Sequence, residues 1–389
     1  MPSGNAADSP MPDAAPPPPA KRQRKIRLSE RVGLNRAPLA PHAAPLASNL
    51  AEQAVEAARD GPRPTQAALG SSLSQAPLPT GPAQSNAGRE WTVTVALPGS
   101  VVDNAQTQEL RSCLVGQVAR ACAIFNVDEI VVFGTETGPR TAAEDPKGRT
   151  GGCVFMARLL QYLECPQYLR KQCFPHHPDL RSVGLIPPLD APHHLRVDEK
   201  CAYREAVVVE RKDAKAGSCY VYSGLPKELK LNMEAPPGVR LTVRMPTVGG
   251  KSVAKAVSPN EPREVAGLYW GYQVRIASGL SAVWSECPHE GGYDCSIGTS
   301  EHGSQALSNG SFNLPSFRHL LIVFGGVEGL EPVVSSEDGL SEFDDDVASL
   351  FDHYLNICPT QGSRTIRTEE ALLVGMGALR PFIENANAR

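Results

Sequence analysis

No tryptophan, tyrosine, phenylalanine or cysteine precedes Trp91, although the 389-residue chain has 22 aromatic residues and ten cysteines. The first 90 residues also hold 15 of the 35 prolines. Without aromatic anchors such a segment cannot bury enough apolar surface to offset an ordering cost of roughly 1–2 kcal/mol per residue. Residues 1–90 are therefore expected to form a disordered Pro/Ala-rich arm. Long apolar runs are missing too: the stretch Leu320 to Phe324 is far shorter than the roughly 18 residues that mark a membrane span. The amino terminus opens on Pro, Ser, Gly and Asp, without a charged and then apolar leader. No Cys-x-x-Cys pair or tight cysteine cluster occurs, which argues against a disulfide scaffold and for a reducing compartment. A soluble intracellular protein without membrane contact is expected.

Neither sign of charge dominates. The formal net charge is -4, divided into +3 for residues 1–90 and -7 for the remainder, which excludes a nucleic-acid binder that is basic as a whole domain. Within the arm, Lys21, Arg22, Arg24, Lys25, Arg27 and Arg31 are opposed only by Glu30. Such a run reads as a nuclear import signal, a loose phosphate-binding arm or simply a solvated charge cluster. Eight acids and no Lys or Arg lie between Glu331 and Asp352, and this excursion reads as a solvated loop. Without it the remainder has a net charge of +1.

Several catalytic signatures are absent as well. Gly250-Lys251-Ser252 has Met245 where a P-loop requires glycine, and Gly375-Met376-Gly377 has Arg380 in place of a third dinucleotide-loop glycine. There is no Gly-x-Ser-x-Gly elbow. The pairs His176-His177 and His193-His194, with Cys165 and Cys173 nearby, match no zinc spacing, so no metal site is expected.

What is present is an α/β texture. Trp91, Val93, Val95 and Leu97 alternate with shorter residues at strand period; Leu110, Leu114, Val118, Cys122 and Phe125 then recur at helical period; Ile130 to Phe133 reads as a buried strand. A second helix is expected over about Cys153 to Leu163. Short β-rich runs replace this pattern at Glu205–Glu210, Ser218–Tyr222, Val239–Arg244 and Lys251–Val257. They suggest a small inserted OB-like barrel over residues 187–262, which divides the α/β domain into 91–186 and 263–389. Such a barrel can grip nucleic acid or merely pack on its host. Its candidate grips are Arg204, Arg211, Lys227, Lys230, Arg240, Arg244, Lys251 and Lys255. Further strands are expected over Tyr269–Ala277, where the aromatics either stack on RNA or pack internally, and over Leu320–Phe324. A final helix over Thr368–Arg380 is expected to be capped by Thr368 and ended by Pro381.

Three Gly-rich stretches crowd the last hundred residues: Ile297 to Gly303, Phe324-Gly325-Gly326-Val327-Glu328-Gly329-Leu330, and Cys358 to Glu370. Glycine at such ends lets backbone approach a ligand closely, as a flat adenine and a ribose require. Together with Ala266 to Tyr272, these runs resemble the SPOUT class of S-adenosylmethionine-dependent RNA methyltransferases, in its eukaryotic and archaeal branch, over about three quarters of the chain. The resemblance implies a deep trefoil knot at the carboxyl end, a homodimer, and S-adenosyl-L-methionine as cofactor. It implies cofactor contacts at His302, Gly325, Gly326, Asn356 and Ile357, with Gly362, Ser363, Thr365 and Ile366 lining the pocket. The loop Gly362-Ser363-Arg364-Thr365-Ile366-Arg367-Thr368-Glu369 is similar to a loop of uridine-methylating relatives. Arg364 and Arg367 would there orient phosphate or stabilise the deprotonating base, unless they pair with Glu369 or Glu370, and Glu301 would accept a proton. The expectation is a nuclear or nucleolar enzyme that methylates N3 of a uridine in large-subunit ribosomal RNA. The alternative is a non-catalytic RNA-binding or nuclear assembly protein that keeps the same fold.

Overall fold

The structure, a computed structural model, describes residues 88–135, 150–211, 216–246, 253–303, 305–307 and 312–387. The basic cluster at 21–31 and Lys251 lie outside them. In chain order the elements are β1 (Thr92–Pro98), α1 (Gln108–Ile124), β2 (Glu129–Phe133), α2 (Gly152–Glu164), α3 (Arg170–Cys173), β3 (Tyr203–Val209), β4 (Cys219–Tyr222), β5 (Leu229–Leu231), β6 (Arg240–Arg244), β7 (Lys255–Val257), α4 (Glu261–Ala266), β8 (Gln273–Ala277), α5 (Leu280–Ser285), β9 (Cys295–Thr299), β10 (Gln305–Ala306), β11 (His319–Phe324), α6 (Glu331–Ser335), β12 (His353–Asn356) and α7 (Thr368–Ala386).

Seven of these strands form a parallel sheet in the order β10-β12-β9-β11-β1-β2-β8. All seven residues of β1 are buried, as a central strand covered on both faces demands. The polar members of its alternation are satisfied inside: Thr92 Oγ1 lies 2.9 Å from His319 Nδ1, and Thr94 donates to Glu129. α1 is capped by Thr107, whose hydroxyl accepts from Leu110 N–H, and it buries Leu114, Val118 and Cys122. Leu110, read as part of that stripe, is instead exposed.

β3 to β7 form a separate antiparallel sheet, ordered β5-β4-β3-β6-β7, around Ala206, Val208, Val221, Leu241 and Val243. It is attached to the host by small apolar clusters, Tyr203 and Val257 against Leu268 and Trp270 and Val207 against Cys165 and Leu169, and by a network of ion pairs. Arg240 on β6 forms a two-pronged ion pair with Glu164 at the end of α2, at 2.6 and 2.9 Å, and its Nε donates to Glu205 at 2.6 Å. Trp270 Nε1 and Thr242 Oγ1 also donate to Glu205. Gly271 takes φ +86°, and a Cβ there would lie 2.5 Å from Glu164 Oε1, so only glycine lets the chain pass this carboxylate.

Four expectations are corrected by packing. The strand expected over Tyr269–Ala277 begins only at Gln273, and Tyr269, Trp270 and Tyr272 ahead of it pack internally, as one of the two readings had it. The acidic segment is no solvated loop: Leu340, Phe343, Val347 and Leu350 are buried, and the Glu337 carboxylate accepts from Leu280 N–H and the Ser281 hydroxyl at the start of α5. α7 does not stop at Pro381 but runs on to Ala386. The carbonyl facing the proline ring belongs to Gly377, and Phe382 and Ile383 pack in the last turns, Phe382 against Phe312 at 5.0 Å, which outweighs one lost hydrogen bond. Lastly, Thr368 is the first helical residue and not the cap, and Arg367 holds the N-cap position.

Candidate functional site

β9, β11 and β12 end side by side, so the segments after Thr299, Phe324 and Asn356 emerge at the same carboxyl edge of the sheet. Ligands of open parallel sheets lie at this edge. The three Gly-rich stretches, far apart in sequence, line one cleft there.

Each segment is held by its own hydrogen bonds. In the first, Ser300 N–H donates to Leu355 O, and the ideal Cβ of Gly303 would collide with Asn356 N, so this loop lies directly on β12. In the second, Gly326 and Gly329 close a tight turn with Gly329 at φ +85°. A Cβ on Gly325 would lie 2.5 Å from the carbonyl carbon of Gly329. The third segment is bracketed at both ends. Asn356 Nδ2 donates to Glu301 O at 2.7 Å while its Oδ1 accepts from Cys358 N–H, and Thr368 Oγ1 donates to Gly325 O at 2.9 Å.

Of the residues singled out from sequence, Glu301, His302, Gly325, Gly326, Asn356, Ile357, Thr365 and Ile366 line this cleft. Gly362, Ser363, Arg364 and Arg367 are exposed beside it and are not among its lining residues. Ser363 donates to Thr365 O and closes its own turn. A Cβ on Gly362 would meet nothing within 4 Å, so no close approach requires that glycine. The His302 side chain is 74% exposed, with Nε2 3.7 Å from Glu301 Oε1. Asn356 serves chiefly as the strut between the first and third segments.

Arg364 and Arg367 have exposed side chains with no ion pair among the described residues. Glu370, an expected partner, instead accepts from the Arg367 backbone N–H at 3.0 Å. Two free guanidinium groups thus stand beside a cleft whose own lining contains Glu301, Glu328 and Glu331 and no Lys or Arg. That charge pattern suits a cationic or neutral ligand inside and an anionic chain outside; it does not suit a phosphate inside.

Sequence reasoning missed Ser300, Glu331 and the ring behind them, Tyr354. Tyr354 OH and the Ser300 hydroxyl both donate to Glu331 Oε1, at 3.1 and 3.5 Å. Burial, with the Glu331 carboxylate beside it, pushes the Tyr354 phenol above its ordinary range and keeps it a donor at neutral pH. Glu331 was hidden because it opens the acidic stretch and was averaged into its charge. Its position two residues after the glycine turn was the available signal.

The inserted sheet offers fewer cations than expected. Arg204 is buried and donates to the carbonyls of Ser223, Glu199, Leu195 and Arg196; Arg240 is taken by Glu164 and Glu205, and Arg244 by Glu261. Arg211 pairs with Glu228. Lys227, Lys230 and Lys255 remain exposed. Both paired histidines are structural in part: His193 and His194 direct Nε2 at the Glu164 carbonyl, at 2.9 and 2.7 Å. Among the described residues no group of three or more His, Cys, Asp or Glu side chains could hold a metal ion, and no helix is long and apolar enough to cross a membrane.

The family described as "Putative RNA methyltransferase" matches residues 92–379. A Homo sapiens protein named 28S rRNA (uridine-N(3))-methyltransferase is 51% identical over 310 residues, covering 78% of this chain and 81% of that protein. Proteins of the same name from Mus musculus and Drosophila melanogaster are 50% and 46% identical; they cover 79% and 75% of this chain and 80% and 62% of their own lengths.

Proposed function

The chain belongs to the RNA methyltransferase family that matches its residues 92–379, and on that premise we propose that it methylates the N3 nitrogen of a uridine in large-subunit ribosomal RNA, with S-adenosyl-L-methionine as donor. The observation that carries this reading is the convergence of three glycine-rich segments on one acid-lined cleft, with Arg364 and Arg367 free beside it. The residues fit the cofactor. Gly325, Gly326, Ile357 and Ile366 line the slot, Gly326 leaves open space that a side chain there would take, and the carboxylates match a positive ligand. When bound, the cofactor supplies an electrophilic methyl group, the C–S electron pair staying on sulfur as the ring nitrogen's pair forms the new C–N bond.

The remaining work belongs to this chain. Arg364 and Arg367 bind RNA phosphate or stabilise the negative charge that develops as the uracil ring loses its N3 proton. Glu301, exposed at the rim, accepts that proton. With purified chain, labelled cofactor and ribosomal RNA, Arg364→Ala or Arg367→Ala should lower transfer about a hundredfold. Cofactor binding and melting temperature should stay unchanged, because neither side chain has an internal partner. Transfer at the unmutated rate in both variants would remove the arginines from the mechanism. No transfer by the unmutated chain would favour the non-catalytic RNA-binding alternative.

Finer features belong to the same proposal. A trefoil knot is supported by β12, which follows β11 in sequence yet inserts between β9 and β10, and by the return of Thr368 to Gly325. An OB-like barrel over about 187–262, within a host of 91–186 and 263–389, is supported by a strand order that equals a five-stranded barrel opened along one seam. A homodimer is supported by Ile124 on α1 and Leu373 and Val374 on α7, which are 46%, 49% and 41% exposed on two helices packed together. Sedimentation of the purified chain tests the dimer. Nuclear or nucleolar residence rests on the cluster at 21–31, and microscopy of a tagged chain lacking it would show the loss of import.

A further inference from the structure

Three carboxylates line the cleft, but they are not equivalent. Glu301 and Glu328 are exposed, and their charges are largely answered by water. Glu331 is half-buried. Its Oε1 receives both hydroxyl donors, Tyr354 and Ser300, and Ser300 Oγ in turn accepts from His302 N–H at 3.1 Å. Its Oε2 accepts no hydrogen bond among the described residues and faces Gly329, where an added Cβ would collide with it. That oxygen keeps contact with solvent, and no Lys or Arg lines the cleft to neutralise it. A positive charge entering the cleft meets in Glu331 a carboxylate fixed through Oε1, with Oε2 free to receive it.

We propose that Glu331 is the specificity-determining residue that makes the site prefer the sulfonium form of its cofactor to the neutral thioether left after transfer. This rests on the cofactor reading above. S-adenosylmethionine and S-adenosylhomocysteine share the adenosine and the amino-acid end and differ by one methyl and one positive charge. An attraction to that charge holds the loaded donor and lapses once the methyl has gone, which favours release of the spent molecule. Tyr354 and Ser300 fix the carboxylate in place and are positioning residues.

Titration calorimetry of the full chain with each ligand tests this without any turnover. Glu331→Gln keeps the shape and an acceptor for Tyr354 but removes the charge. The ratio of S-adenosylmethionine affinity to S-adenosylhomocysteine affinity should fall about fivefold, the size expected for a partly screened charge pair. Glu328→Gln should leave the ratio unchanged. Tyr354→Phe, which loosens the carboxylate that Tyr354 positions, should lower the same ratio by a smaller factor. Should Glu331→Gln not fold, the unmutated chain must still favour the analogue with a protonated amine in place of the sulfonium over the thioether, less so in high salt. An equal loss for both ligands in Glu331→Gln, or no preference of the unmutated chain for the amine analogue, overturns the proposal. An unmutated chain that binds none of the ligands overturns the cofactor reading itself, and this proposal with it.

Discussion

Gly326→Trp is expected to abolish cofactor binding while leaving the fold intact. Gly326 lines the cleft, and its ideal Cβ meets only Pro98 Cγ at 3.8 Å, an ordinary contact. Its backbone is not in the left-handed region, so an L residue fits without strain. The indole then occupies the slot. Affinity for S-adenosylmethionine should drop at least about a hundredfold, or about 2.8 kcal/mol, with little change in melting temperature. The neighbouring glycine behaves differently. Gly325→Ala forces a Cβ against the backbone of Gly329, so stability should fall by about 1–3 kcal/mol and affinity with it. Gly362→Ala should change neither. Calorimetry and thermal melts of the three variants read all of this; full binding by Gly326→Trp would place the cofactor elsewhere.

Arg240→Leu should unfold the joint between the inserted sheet and its host. The guanidinium holds Glu164 and Glu205 together, and without it two buried carboxylates face one another. Removing one partner of such a cluster costs about 3–5 kcal/mol. For a chain of this size the melting temperature should fall by on the order of 10 °C. Burial acts to raise the Glu164 pKa, but Arg240 and then His193 overcome it and hold the carboxyl well below its ordinary 4.5. A depressed carboxylate contributes stability above pH 4.5 and loses that contribution as the pH falls further. The unmutated chain should therefore weaken in acid through this group. In Arg240→Leu burial prevails at Glu164 and raises its carboxyl, so the deficit should be greatest at neutral pH and shrink toward pH 4.5. Burial, with His193 beside it, pushes His194 down to about 3, so this imidazole stays neutral across that window and does not obscure the measurement. A deficit that does not vary with pH would show that Arg240 acts by packing alone.

The sequence made the host layer legible because its signals are local. The period of Leu114, Val118 and Cys122, the strand run from Leu320 to Phe324, and glycines clustered after strands all survive in the structure. Long-range electrostatics were not legible. Arg204, Arg240 and Arg244 resemble surface cations in sequence, and only tertiary contact shows each to be consumed by carbonyls or carboxylates. Glu331 and Glu337 merged into one acidic stretch, although one lines the cleft and the other caps α5. Pro381 read as a stop because a proline interior to a helix is normally costly, and the contact of Phe382 with Phe312 cannot be seen along the chain.

Hydrogen exchange with and without S-adenosylmethionine is the most direct test that residues 299–303, 325–331 and 356–368 build a single cofactor slot. The ligand should slow exchange in all three segments together, with Gly326→Trp showing none of it and the inserted sheet, β3 to β7, unchanged. Protection confined to one segment, or centred on the inserted sheet, would contradict a single slot.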